Sequence, residues 1–234
     1  MVANPSEELS VEDMARIALL SKFHFTRVFQ RFTGISPARF LSAVRLQAAK
    51  RLLTSTDLTV ADISVRVGYN SVGTFSTRFT RSVGLSPTAF RRLGGLAPVM
   101  FTRPRPTLAN TITGTVRGTA PRGPIFMGVF PHRIPEGTPV NCTVLDEPGP
   151  YRFTGIPNGT WHVLCHAVSG HPLELRHEDV AVATAGPITV YGNRTYRLDP
   201  QLLPVSKLDP PVLIALLDSR EGSLRRARER ALAR

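Results

Sequence analysis

The chain has 234 residues, 42% of them hydrophobic, which is apolar material for two packed domains and excludes a largely disordered protein. Its 29 Lys plus Arg against 17 Asp plus Glu give a formal charge of +12, so a polyanion is the expected partner, nucleic acid before a membrane surface. Two cysteines, with no membrane-length apolar run and no signal-peptide pattern, exclude a disulfide scaffold and lead to the expectation of a reducing, cytoplasmic setting without membrane partners.

The charge is unevenly spread: residues 1–100 carry 13 basic and 6 acidic side chains, net +7, against +2 for residues 101–206 and +3 for residues 207–234. The same N-terminal stretch contains a repeat. "FTRVFQRFTGISPARF" at 25–40 lies against "FSTRFTRSVGLSPTAF" at 75–90, and "LSVEDM" at 9–14 against "LTVADI" at 58–63.

Each copy carries helix-start chemistry at matching places. Ser10 with Asp13, and Thr59 with Asp62, have capping-box spacing, in which a hydroxyl and a carboxylate satisfy free N–H groups of the first turn. Ser36-Pro37 and Ser86-Pro87 place a capping hydroxyl before a proline at the first helical position. Gly34 and Gly84 stand where the preceding helix must stop. Between these marks Phe25, Val28, Phe29 and Phe32 recur at i, i+3, i+4 and i+7, predicting one buried helix face, with Lys22, Phe23, Thr26, Arg27 and Gln30 on the other. In the second copy Phe75 and Phe79 mark the buried side. A short capped helix, a tight turn and a second helix with a polar outer face is the helix-turn-helix pattern, here present twice.

The spaced positions Arg45, Leu46, Ala49, Leu52, Leu53, Ile63, Val67, Gly68, Tyr69, Phe75, Phe79, Gly84, Ser86, Pro87, Phe90 and Arg91 closely resemble the DNA-binding domain of AraC/XylS-type transcription regulators, over residues 9–93. The resemblance implies one long helix, about Pro37 to Leu53, joining two helix-turn-helix units that enter successive major grooves. It implies base-reading roles for Phe23, Thr26 and Arg27 in the first unit and for Val72, Gly73, Thr74, Ser76 and Thr77 in the second. Lys22, Arg31, Arg39, Arg78 and Arg81 are the expected phosphate contacts. Arg27 is the one long donor among the base readers, so the first helix is expected to supply most of the base discrimination. Two features depart from the family: Leu19 stands where the first turn usually has glycine, and few residues precede "LSVEDM".

Beyond a Gly/Pro-rich stretch at 94–106, whose residues 96–106 are read as a linker, the period changes to alternation. "LANTITGTVRG", "IFMGVFPH", "NCTVLDEPG", "YRFTGIPNGTWHVLCHAV", "VAVATAG" and "ITVYGNRTYRL" are strand-like runs separated by turn residues, predicting an all-β sandwich over 107–203. Tyr151, Phe153, Ile156, Trp161 and Val163, in "Y-x-F-x-G-I-P-x-G-x-W-x-V", resemble the hairpin of prealbumin-like or carboxypeptidase-regulatory-like sandwich domains, which implies a binding or scaffolding module.

His162 and His166 would lie about 13 Å apart on a strand, too far to share a metal, and are expected to point outward with Leu164. His171 and His177 fall in a loop without metal-ligand spacing. Cys142 and Cys165 read as buried free thiols, with a cross-strand approach as the alternative. No metal, cofactor or catalytic residue is expected. The tail at 204–234 has a helix start at Asp209-Pro210-Pro211; its apolar half either packs on the first unit or on a partner copy, or the whole is a frayed basic end.

The expected architecture is therefore multidomain α and β: an all-α double helix-turn-helix domain over residues 1–95, then an all-β sandwich with a short helical tail. The expected function is sequence-specific, non-enzymatic transcription regulation on double-stranded DNA. Candidate further partners are RNA polymerase, a small-molecule effector on the sandwich and a second copy in a homodimer. The alternatives are a non-specific architectural DNA binder and a DNA-repair-type enzyme carrying an AraC-like domain, which would demand a reactive cysteine.

Overall fold

The computed structural model describes residues 9–95, 110–119, 123–168 and 180–215. They form two compact units: a helical one that runs to the Gly94-Gly95 turn and takes in Lys207–Ala215, and a β unit between, ending at Ser206.

The helical unit contains α1 (Val11–Ile17), α2 (Lys22–Thr33), α3 (Pro37–Ser55), α4 (Val60–Arg66), α5 (Val72–Val83) and α6 (Pro87–Arg92). Both expected capping boxes form: the Asp13 N–H donates to Ser10 Oγ at 3.1 Å and the Asp62 N–H to Thr59 Oγ1 at 3.1 Å, with each carboxylate accepting the cap residue's own N–H. Ser86 caps α6 through the Ala89 N–H, whereas Ser36 caps α3 with its backbone alone. Gly34 and Gly84 end α2 and α5 in the left-handed conformation, at φ 78° and 88°.

The two copies differ in how well they are packed. Phe75, Phe79 and Val83 of α5 are fully buried and Phe79 meets Phe90 of α6 edge-on, at 5.6 Å between ring centroids. In α2 the expected buried face is only partly so: Phe25, Val28 and Phe29 are half-buried, and Phe32 is 68% exposed. Fifty residues on, the counterpart of Phe32 is Ser82, fully buried, so the equivalent site in the repeat accepts a small side chain and not a phenyl ring.

The β unit is a sandwich. A three-stranded sheet has the order β4 (Pro150–Ile156), β1 (Asn110–Thr115), β7 (Thr195–Arg197). A five-stranded sheet has the order β3 (Asn141–Leu145), β2 (Ile125–Phe130), β5 (Gly159–Val168), β6 (Val180–Val190), β8 (Leu203–Pro204). Ile112, Tyr151, Phe153 and Ile156 from the first share one buried core with Ile125, Met127, Val163, Cys165 and Ala183 from the second. Burying the two inner faces against each other is what the alternating pattern requires.

Four expectations change here. The run from Tyr151 to Val163 is not a hairpin: β4 pairs with β1 and β5 with β2 and β6, so the turn at Pro157–Asn158 carries the chain from one sheet to the other. Both strands then present apolar side chains to one core, and Trp161 Nε1 donates to the Pro157 carbonyl at 2.8 Å across the corner. The runs "VAVATAG" and "ITV" are one strand, β6, whose irregularity is taken up where the β5 register shifts between Trp161 and Val163. Leu164 does not face solvent with the histidines but is buried at 5% exposure, as is Phe130 on the same outer face at 0%, so that face carries apolar packing of its own. His162 and His166 are half-buried beside it; burial, then Arg133 and His132, holds the His162 imidazole below its ordinary value. Lastly, the helix start at Asp209 does not form: residues 209–215 hold no helix and bend at Ile214, and the Val212 and Ile214 carbonyls accept from the Lys50 side chain of α3. The linker stretch 96–106, His171, His177 and the helix expected after Ala215 lie outside the described residues.

Cys165 pairs with Met127 and Cys142 with Gly128, consecutive residues of β2 that face opposite sides of the sheet. The thiols are therefore on opposite faces and not joined in a disulfide, which removes the cross-strand approach. Burial pushes the Cys165 thiol up to about 12.

Candidate nucleic-acid interface

Both helix-turn-helix units are built by the same backbone device. In the first turn Leu19 N donates to Arg16 O at 3.0 Å and Leu20 N to Ala15 O at 2.9 Å; in the second Gly68 N donates to Val65 O and Tyr69 N to Ser64 O, both at 2.9 Å. Gly68 adopts φ +83°, and Leu19 adopts φ +55°, so the first unit makes the family's turn with a side chain that the left-handed region disfavours by about 1–2 kcal/mol. At Gly68 a β-carbon would also meet the Arg45 guanidinium at 2.9 Å.

Behind the first turn α2 begins at Ser21, whose Oγ accepts the His24 N–H at 3.3 Å. Phe23, 86% exposed, and Arg27 project from its outer side, with Thr26 half-buried between them. Arg27 is steadied by His24, whose Nδ1 lies 3.3 Å from the guanidinium. Lys22 is ion-paired with Glu12, which holds the Glu12 carboxyl below its usual range and ties α1 to the start of α2.

In the second unit Ser71 caps α5 through the Thr74 N–H at 3.4 Å. Val72, Gly73, Thr74 and Thr77 are exposed and Ser76 half-buried. Gly73, Thr74, Thr77, Arg78 and Arg81 line a shallow depression of about 470 Å³. Of its two cations Arg81 is exposed, while Arg78 is half-buried and donates from Nε to Ser42 Oγ at 3.3 Å. Ser42 also lies 3.3 Å from the Tyr69 hydroxyl, so α3, the turn and α5 are linked by one polar relay. Arg31 is exposed on the last turn of α2 and Arg39 is half-buried on the first turn of α3.

The groups that hold these helices in place carry no local sequence signal of that role. Ser42 is one; Arg91 is another, donating to the carbonyls of Leu53 at 3.2 Å and Leu58 at 2.6 Å and so pinning α6 to the end of α3. Lys50 is a third, a half-buried lysine whose ammonium donates to backbone carbonyls of the returning chain.

A family profile described as a helix-turn-helix domain matches residues 14–93. These residues are an AraC-type helix-turn-helix domain. The AraC-type domain is similar to the HTH-type transcriptional activator RhaS of Enterobacter sp. (strain 638), 40% identical over 76 residues that cover 32% of this chain and 27% of that protein. It is likewise similar to the bifunctional transcriptional activator/DNA repair enzyme AdaA of Bacillus subtilis (strain 168), 33% identical over 78 residues, 33% of this chain and 37% of AdaA. Among solved structures it is similar to a transcriptional regulator with an AraC-type DNA-binding domain from Chromobacterium violaceum, at 28% identity and TM-score 0.39, over 40% of this chain and 84% of that one. The chain thus spans roughly a quarter to somewhat over a third of the length of the curated relatives it matches. Among the described residues no helix is long and apolar enough to cross a membrane.

Proposed function

We propose that this chain is a cytoplasmic, sequence-specific transcription regulator that reads duplex DNA with α2 and α5. The observation that carries the reading is the duplication of one capped helix, left-handed turn and outward helix on either side of a single rigid helix, α3. Its 19 residues give it a length of about 28 Å, close to the 34 Å repeat of a DNA turn. Arg27, held by His24, suits a guanine edge, and the exposed Phe23 ring suits a thymine methyl group. The short side chains Thr74, Ser76 and Thr77, with Arg81 beside them, suit phosphate contact and groove fit at the second site.

A non-enzymatic role is supported by the thiols: Cys165 sits in the sandwich core and is pushed up to about 12, the opposite of an activated thiolate. The sandwich is the place to look for an effector, a second copy or a polymerase contact. Selection of bound duplexes from a random pool, with the full chain, tests the reading. Enrichment of a motif whose halves are centred about 10 base pairs apart supports it; binding without enrichment of any motif overturns it in favour of a non-specific architectural protein.

A further inference from the structure

Leu213, Ile214 and Ala215 come from the far end of the described chain, yet they are buried at 0, 2 and 4% exposure and belong to the helical unit. Lys50, in the second half of α3, reaches them: its Nζ donates to the carbonyls of Val212 at 3.2 Å and Ile214 at 3.4 Å. The chain bends at Ile214, which brings the two carbonyls within reach of one ammonium, while Leu213 between them is fully buried. An apolar side chain flanked by two matched acceptors is a specific fit and not a casual covering of surface.

The contact leads to α5. The Lys50 ammonium lies 5.8 Å from the centroid of the Phe90 ring in α6. Phe90 packs edge-on against Phe79, and Phe79 against Phe75, at 5.6 Å in each case; both are buried residues of α5. In the other direction Val205 still belongs to the sandwich, its N–H donating to the Val180 carbonyl at 3.1 Å. Six residues, Ser206 to Pro211, lie in sequence between Val205 and Val212.

We propose that residues 210–215 are a docking strap, whose seating on Lys50 of α3 braces α6 and, through it, the second helix-turn-helix unit. Its effect on DNA rests on the function proposed above. The strap is the partner that Lys50 fits: a short apolar segment whose bend presents two carbonyls to one ammonium. Loss of the strap leaves a hydrated lysine and loosens α6, the floor on which α5 stands.

The test uses the full chain with Leu213→Asp and, separately, Lys50→Met, followed by hydrogen exchange resolved by element. Leu213→Asp is expected to speed exchange in α6 and the second half of α3 by about tenfold or more, with β2 and β5 unchanged; Lys50→Met raises the same elements less. Leu213→Ala serves if the charged variant does not fold. Unchanged exchange in α6 in all variants overturns the strap. A second arm measures affinity for the duplex recovered by selection, expected to fall about 5- to 150-fold in Leu213→Asp. Faster exchange with unchanged affinity overturns the link to DNA reading and leaves DNA binding intact. Absence of any preferred duplex for the unaltered chain defeats the proposed function instead, and exchange still decides the strap.

Discussion

Replacing Lys50 by Met should change how the protein's stability responds to alkaline pH. Burial lowers the Lys50 ammonium from 10.5 to about 8, so at neutral pH the folded protein holds a cation where the surroundings favour the neutral amine. In the unfolded chain the same lysine keeps its proton up to about 10.4. Between these values the unfolded state binds more protons than the folded one, and stability therefore rises with pH. The contribution is near zero at pH 7, about 1 kcal/mol at pH 9 and about 3 kcal/mol at pH 10.5. At neutral pH the substitution removes a burial cost of similar size but leaves the Val212 and Ile214 carbonyls without their donor, which costs about 1–3 kcal/mol each, so the two terms roughly cancel. Urea unfolding of both proteins from pH 7 to 10.5, followed by helical circular dichroism, reads the difference directly. Subtracting one curve from the other also removes the opposing effect of Cys165, which destabilises the fold as the unfolded thiol ionises. Parallel curves would refute the reasoning, since they would mean that Lys50 is hydrated in the folded protein.

Leu19→Gly should raise stability by about 1 kcal/mol, because the residue is 92% exposed and contributes strain at φ +55° with little burial; thermal or urea unfolding checks it, and a loss would show that the Leu19 side chain is covered. Arg27→Ala should cost about 1–3 kcal/mol on the preferred duplex and relax one base position, as repeated selection would report; an unchanged motif removes Arg27 from the base readers. Cys165 should resist alkylation by iodoacetamide near pH 8 until the sandwich unfolds, and rapid labelling of the native chain would contradict its place in the core.

The local chemistry of helix ends was legible because it is written in adjacent residues: Ser10 and Asp13, Thr59 and Asp62, Gly34 and Gly84 specify their own geometry. Packing was less so. A 3.6-residue period places Phe32 on the apolar side of α2, but whether a ring fits there depends on the neighbouring helices, and in this fold the equivalent site admits only Ser82. Alternation marks the strand runs but does not say which sheet a strand joins, so it pairs β4 with β5 where the structure puts them in different sheets. Outward residues of α2 and α5 could be named from the repeat. Their supports, Ser42, Arg91 and Lys50, could not, because each acts on a backbone or side chain that is distant in sequence. A lysine in a helix reads as solvated unless the segment that buries it is known, and that segment lies beyond the whole sandwich.

The strap also sets an order of events during synthesis. Helices α2 and α5 leave the ribosome before the sandwich is made, but the proposed strap follows the last of the described sandwich strands. Domains generally fold as they emerge, N-terminal first; here the leading unit can reach only an unfinished state until the rest has been made. On the strap proposal, a nascent or truncated chain would carry α2 and α5 without their brace, so DNA reading would be expected only from a chain that has also completed its second half.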